Sequence, residues 1–547
     1  MFRKNFGLEE TQMNIPSFTN GEIDQFLDRI KGTEEASFYE QVFKSIDETI
    51  FSPIYCSDNG RPNAPVNTIF SALVLKNRKG WSYSELIKQL RFNLAARYAV
   101  GIFDLQEIPF NEATIFNFLN RVKNYTEQNG IDLFSETFDS IITKQIKRLN
   151  INTDTLRIDS IMLNSNIKRY GRIQLLLEII LRLYQTFSEE DQQLFNEKFS
   201  KYTKTNSEKF IYKLKSSDLP GELTAIGSIY YWLTSHLKEC YQASTEYKNF
   251  ERMFSEHFAI ENDQIVIKES FDVGSGSLQS PDDSDATFRK KKGKQYRGFS
   301  GTATETCDPE NPVNLIVDLD ASQNNIDDSK VLNTKLPEII EKTGVSEIHV
   351  DGAYGSTEND SVCREHGIKM IQSAVRGRVA KIPLEINKTG EGYEVSCPNN
   401  QTVKAVKVKK RHKACFDLSF CEACPLSENC RTVQQKECRV YYFTNDDFER
   451  SVRLRNIEEI PEKRRQLRNN VEATMNEFSC KLNNHKLRVR GLHKASEYII
   501  LSAIGINFGR IFRFFNFGHI FVKISDFFFS KRIICTFLKK QRRFAAC

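Results

Sequence analysis

Two short stretches decide how this chain is read: LRIDSIMLNSNI at Leu156–Ile167 and EIHVDGAYG at Glu347–Gly355. Each sets an acidic residue, Asp159 or Asp351, after a run of β-favouring apolar residues. Groups at strand ends of an open α/β sheet face the crevice where ligands bind, and a glycine after the Asp lets the chain turn there. Either residue alone would read as a turn former or helix cap. As a pair separated by almost two hundred positions, they are candidates for one site.

Around these stretches the pattern alternates between helix and strand. The first 150 residues read as helical, because Ile69, Leu73, Leu75, Leu86, Ile87 and Leu90 recur at helical spacing. Gly80 breaks that run and Ser82 stands as an N-cap, and a further helix fits from about Asn111 to Tyr125. Helix returns from about Tyr170 to Phe258, and GSGSLQSPDDSD at 274–285 reads as a turn-rich linker. Strands then resume in YRGFSGTATETC and VNLIVDLD, a helix fits Asp328 to Lys342, and EIHV is again a strand. The order strand, strand, helix, strand predicts an α/β sheet interrupted by a helical insertion and preceded by an all-α N-terminal domain.

A third carboxylate is sought on a helix. In PEKRRQLRNNVEATMNEFSCKL (461–482) the residues Leu467, Val471, Met475, Phe478 and Leu482 form one apolar stripe, with Glu472 at its edge. There Glu472 could reach into a crevice shared with the two aspartates, or pair with Arg468 one turn back on an exposed face. Three convergent carboxylates suit phosphodiester cleavage with two divalent ions, since Mg²⁺ prefers oxygen ligands.

Composition sets the bounds. At 547 residues the chain exceeds a single core, and 27% charged against 40% hydrophobic residues is ordinary for a globular protein. The formal net charge is only +6, yet basic residues crowd Arg453 to Arg513 and again Lys531 to Arg543, which suits a polyanionic partner such as nucleic acid. The start MFRKNFGLEE lacks a signal peptide's apolar region, and no uninterrupted apolar run of membrane-spanning length is evident, so the cytoplasm is the expected compartment and no membrane partner is expected. The aromatic tail 513–547 reads as a buried terminal element, or as an amphipathic interfacial segment.

Thirteen cysteines without a secretory signal do not read as a disulfide framework. Six of them, Cys397, Cys415, Cys421, Cys424, Cys430 and Cys438, lie in one stretch. Cys397, Cys421, Cys424 and Cys430 could close a tetrahedral Zn²⁺ site in a small insertion, with Cys415 and Cys438 as substitutes. The competing reading is a set of reduced thiols that hold nothing.

Taken in order, these motifs resemble the DDE transposases of bacterial insertion sequences. RIDSIMLNSNI looks like the first-Asp motif of that family, KKGKQYRGFSGTATETC like the strands after it, and EIHVDGAYGSTEND like the second-Asp motif. LRNNVEATMNEFSCKLNNHKLRVRGLHKASEYIILSAIGINFGRI resembles its last-Glu helix and trailing segment. VNTIFSALVLKNRKGWSYSELIKQLRFNLAARYAVGI with NEATIFNFLNRV is similar to the helical domain preceding the core in one branch. The family's Tyr, Arg, Glu, Lys register falls here on Arg465, Arg468, Glu472 and Ser479, so Arg and Glu match and Tyr and Lys do not. This favours Glu472 over Glu462 or Glu477, with Lys481 as a stand-in for the missing Lys.

The resemblance implies an RNase H-like mixed sheet in which Asp159, Asp351 and Glu472 hold Mg²⁺ or Mn²⁺. It implies cleavage at transposon ends followed by attack of the freed 3′-hydroxyl on target DNA, by a homodimer on double-stranded DNA. Arg465, Arg468, Lys481, Arg488, Arg490 and Lys494 would contact phosphates. The implied division is 1–150 helical and DNA-binding, 151–170 and 285–390 first parts of the core, 171–284 helical insertion and linker, 391–445 Cys-rich insertion, 446–512 last part of the core, and 513–547 tail. Two other functions fit the same motifs: a DNA-binding protein without catalysis, and a stand-alone metal-dependent nuclease.

Overall fold

A computed structural model describes residues 1–4, 25, 28–57, 60, 62–103, 108–237, 239–262, 264–375, 382–390 and 392–529, and side chains within these except at 463, 465 and 517–529. Most of the tail, with the basic run from Lys531 to Arg543, therefore lies outside the described residues.

The first part is helical, as its periodicity predicts: α1 (Glu34–Gln41), α2 (Val66–Lys79), α3 (Tyr83–Phe92), α4 (Leu94–Ala99), α5 (Glu112–Asn129) and α6 (Leu133–Leu149). Gly80 ends α2 in the left-handed region at φ 72°, and the Ser82 hydroxyl accepts from the Glu85 amide to start α3. All six of the periodic apolar residues from Ile69 to Leu90 are buried.

β1 (Thr155–Asn164) begins the main sheet. The chain then leaves through α7 (Arg172–Tyr184), α8 (Glu189–Thr203), α9 (Ser207–Tyr212), α10 (Leu219–His236), α11 (Thr245–His257) and the hairpin β2 (Phe258–Glu261) and β3 (Gln264–Ile267). This insertion has a hydrophobic cluster of its own around Leu176, Ile180, Ile229 and Phe250. The chain re-enters through β4 (Thr287–Lys291), β5 (Lys294–Thr306), β6 (Ile316–Gln323), α12 (Asp328–Thr343), β7 (Glu347–Val350), α13 (Thr357–Glu365) and β8 (Lys369–Gln372). The sheet runs β6-β5-β1-β7-β8, with β4 paired to the other half of β5. β5 is antiparallel to β1 and β6, whereas β1, β7 and β8 are mutually parallel. The result is the mixed α/β architecture that the element order predicts.

A second sheet follows, β13-β14-β12-β11-β10-β9, built from β9 (Glu385–Thr389), β10 (Gly392–Ser396), β11 (Thr402–Val408), β12 (Arg411–Asp417), β13 (Val433–Gln434) and β14 (Cys438–Phe443), with the short α14 (Leu418–Glu422). It closes on a small core of Ile386, Val395, Phe416 and Phe443. The chain returns through α15 (Asn445–Glu458).

The expected single helix over 461–482 is broken. It consists of α16 (Glu462–Arg465), a 3-10 turn (Gln466–Asn470) and α17 (Val471–Ser479). Val471, Met475 and Phe478 of the predicted stripe are buried, while Leu467, in the 3-10 turn, and Leu482, beyond α17, are only half-buried.

α18 (Leu492–Phe529) is the strut of the molecule. It packs on α2, α6, β5 and β6, so the N-terminal helices and the main sheet share one continuous hydrophobic core. Its segment Leu492–Asn516 is by length and composition apolar enough to cross a membrane, although Lys494, Glu497, Arg510 and Arg513 interrupt it, and 56% of its most apolar stretch is buried. The apolarity has a structural use, since Ala495, Ile499, Ala503, Ile504, Phe508 and Ile511 all face protein. The predicted linker at 274–285 also has a defined place. Asp283 accepts from Ser165 and from the Gly491 amide, and Asp285 accepts from the Leu492 amide, so two carboxylates cap the N-terminus of α18.

Candidate active site

β1 and β7 pair in parallel, Thr155 with Glu347 and Arg157 with His349. Continuing that register two residues sets Asp159 alongside Asp351. Asp351 follows β7 as predicted, but Asp159 lies inside β1 rather than after it. The Asp159 carboxylate accepts from the Ser160 amide at 2.8 Å, and Asp351 accepts from the Gly352 amide at 2.7 Å. Gly352 is required for a different reason than a sharp turn: a β-carbon there would collide with the Ala374 carbonyl.

The two aspartates share one partner. Arg468 Nη2 lies 2.9 Å from Asp159 Oδ2 and 3.8 Å from Asp351 Oδ2. The pair with Asp159 is well buried, with both side chains 14% exposed, while Asp351 is 48% exposed and opens to solvent. Burial pushes the Asp159 carboxyl above its ordinary value, and the Arg468 guanidinium opposes that rise.

Beneath this crevice lies a buried ionic clamp that the sequence reading missed. Glu305 on β5 faces Arg157 on β1 across the strands, at 2.6 Å from Arg157 Nε. Its other oxygen takes Arg510 of α18 at 2.7 Å, and Thr474 of α17 donates to both. Arg157 also donates to the Leu467 carbonyl at 2.7 Å, which anchors the 3-10 turn that carries Arg468. One signal was available in the sequence: Arg157 and Asp159 are two apart on a strand, and so share a face.

Glu472 does not join the aspartates. It sits exposed in the first turn of α17, and its carboxylate makes no ion pair or hydrogen bond among the described residues, with Arg468 or otherwise. The predicted helix is broken between Arg468 and Glu472, so the spacing that would set both on one helical face is lost. The hard oxygens of Asp159 and Asp351 suit a divalent cation, and the guanidinium between them already marks the place of a positive charge. Among the described residues, however, no set of three His, Cys, Asp or Glu side chains stands in a metal-holding arrangement.

The other expected DNA contacts are scattered. Arg465 lies in α16, and its side chain is outside the described residues. Arg488 donates to the Gly80 carbonyl, and Arg490 donates to the Asn166 carbonyl and lies 3.7 Å from Asp282. Lys481 and Lys494 are exposed and line a small cavity against Gly80 and Trp81.

Cys397, Cys421, Cys424 and Cys430 meet around a single cavity of about 30 Å³ between α14 and the turn after β10. Burial pushes the Cys421 thiol up, and the three neighbouring sulfurs add to that rise. Cys415 and Cys438 do not line this cavity. They stand on the adjacent strands β12 and β14, where the Cys415 sulfur raises the Cys438 thiol.

Comparison with protein families agrees with this architecture. Residues 25–121, covering α1 to α4 and half of α5, match the family described as Transposase domain (DUF772), and residues 396–512 match the Transposase DDE domain. The second match takes in Glu472 and Arg468, whereas both aspartates lie between the two matched stretches. No curated protein and no solved structure matches the chain. Over these two stretches the chain is similar to transposases of the DDE type.

Proposed function

We propose that the protein cuts DNA at transposon ends and joins the freed ends to target DNA, at a site formed by Asp159, Asp351 and Glu472 in an RNase H-like core. The observation that carries this reading is the convergence of the two aspartates, from motifs far apart in the chain, on one guanidinium. The strand order β6-β5-β1-β7-β8, with its antiparallel half and parallel half, supports the RNase H-like assignment.

Asp159 and Asp351 would hold Mg²⁺ or Mn²⁺, which supplies activation of the attacking oxygen and neutralises charge on the phosphoryl group. Arg468 holds the two carboxylates together before the substrate arrives, then turns to a phosphate oxygen of the DNA. Because Arg468 and Glu472 flank the end of the same 3-10 turn, one rearrangement of that turn releases the first and brings in the second. After the first cut, the same residues orient the 3′-hydroxyl against the target strand. Two copies acting on paired ends in the cytoplasm complete the reading.

The test is Mg²⁺-dependent cleavage of DNA carrying the ends that flank the gene. Asp351→Ala should abolish cutting while end binding persists, and full cleavage by that variant would overturn the assignment.

We further propose that Cys397, Cys421, Cys424 and Cys430, which line one cavity without standing in a metal-holding arrangement, draw together on a structural Zn²⁺ and so close a small sheet whose apolar core is slight. Metal analysis of the protein purified under reducing conditions should find one zinc per chain, lost in Cys424→Ser. A metal-free wild type would retire the site.

A further inference from the structure

An unassigned groove of about 720 Å³ lies at the far end of β1. Its walls come from three separate parts of the chain: the end of β1 and the residues after it, Arg297 on β5, and the loop after α17. Lys168, Arg169, Arg297, Lys481, Lys486 and Arg488 line it, and no acidic residue does. The side-chain amides of Asn166 and Asn483 add neutral hydrogen-bonding capacity.

These cations are mostly uncompensated. Arg169 forms no ion pair among the described residues, and burial together with the Arg169 charge lowers the pKa of Arg297. The Arg297 Nε is buried without a hydrogen-bond partner. Lys486 reaches only the Ile167 carbonyl at 3.4 Å, and Lys168 alone has an acidic partner, the exposed Glu208. Like charges gathered at this density repel unless an anion lies between them.

The loop is held in place for the purpose. Asn484 and His485 both adopt left-handed backbone, at φ 50° and 54°, a strained arrangement for two successive non-glycine residues. It is secured by a bridge between Asn164 and Lys486, by the Leu487 amide to the Asn164 carbonyl, and by the Asn164 side chain to the Asn484 carbonyl. The groove is continuous with the N-terminal module, since Lys481 and Arg488 also line the cavity with Lys76 and Trp81. Burial, with Arg488 nearby, brings Lys76 down to about 8.

We infer that this groove binds the phosphate backbone of duplex DNA and leads it to the crevice. Asp159 lies five residues along the same strand, about 17 Å from the groove floor at Asn164. A backbone seated there runs along β1 to the aspartates, with the N-terminal module on its flank. The inference rests on the transposase reading for the identity of the polyanion. It assigns Lys168, Arg169, Arg297 and Lys486 to positioning the DNA, without a part in the chemistry.

The test is binding of the full chain to a short duplex of arbitrary sequence, by fluorescence anisotropy across a salt series, with chelator present so that cutting is excluded. The variant Arg169→Gln, Lys481→Gln, Lys486→Gln changes three exposed side chains. The control Lys404→Gln, Lys407→Gln, Lys410→Gln removes the same charge from the face around β11. The groove variant should bind about 10- to 100-fold more weakly. The slope of log affinity against log salt should flatten by about 2 to 3, at about 0.9 for each phosphate no longer neutralised. The control should leave both unchanged. Equal weakening in the two variants, or an unaffected groove variant, would overturn the inference. Groove-dependent binding by a wild type that never cuts with Mg²⁺ would uphold the groove and sink the catalytic reading instead.

Discussion

The crevice and the groove lie along one strand, yet they treat charge in opposite ways. At Asp159 every charge has a partner: Arg468 joins the two aspartates, and below it Glu305 is enclosed by Arg157 and Arg510. At the end of β1 the cations stand together with one exposed acid beside them. The same contrast divides the basic C-terminal third. Arg453 pairs with Asp360, Arg464 with Glu347, and Arg510 and Arg513 with Glu477, so these arginines hold the fold together. The loop 481–488 offers its charge outward. A count of basic residues does not separate the two uses; their partners do.

The largest effect that would break this contrast is on the chemistry. Asp351→Ala is expected to lower cutting by at least about 10³-fold, as removal of a metal-holding carboxylate should, with duplex affinity kept. The groove variant should do the reverse, weakening binding while saturating DNA restores the cutting rate. If both variants lose binding and cutting together, the two regions are not distinct.

Next is the clamp. Glu305→Ala leaves Arg157 and Arg510 buried without their acid, and removal of one partner from such a cluster costs about 3–5 kcal/mol. Denaturant unfolding should show that loss, and a change below about 1 kcal/mol would mean that the clamp contributes little. The smallest effect concerns Arg468. Its replacement by Ala should free the two aspartates and tighten Mn²⁺ binding by roughly tenfold, equivalent to ~1.4 kcal/mol, as read by calorimetry. Weaker Mn²⁺ binding would show that Arg468 organises the site rather than competing with the ion.

Much of the fold was legible from local pattern. Helical periodicity, the Ser82 cap and the Gly80 stop are short-range features, and each appears where spacing predicts it. The strand EIHV and its terminal Asp351 are equally local. The helix over 461–482 was misread because its apolar stripe is nearly continuous, whereas Arg157 and the Glu305 clamp hold Gln466–Asn470 in a tighter turn. The linker at 274–285 looked loose because two of its aspartates, Asp283 and Asp285, cap a helix start some two hundred residues later. The four thiols were singled out by spacing, and they share one cavity because α14 folds back over the turn after β10.

What the sequence determined by itself is the order of elements and the residues that end them, since those follow from neighbours within a few positions. It also placed two aspartates at strands that could pair. The tertiary structure alone decided that the register of β1 and β7 sets them side by side, that Arg468 occupies the space between them, and that Glu472 faces outward. It alone assembled a groove from Arg169, Arg297 and Lys486. Contacts between segments hundreds of residues apart depend on the packing of the shared core and leave no trace in local periodicity.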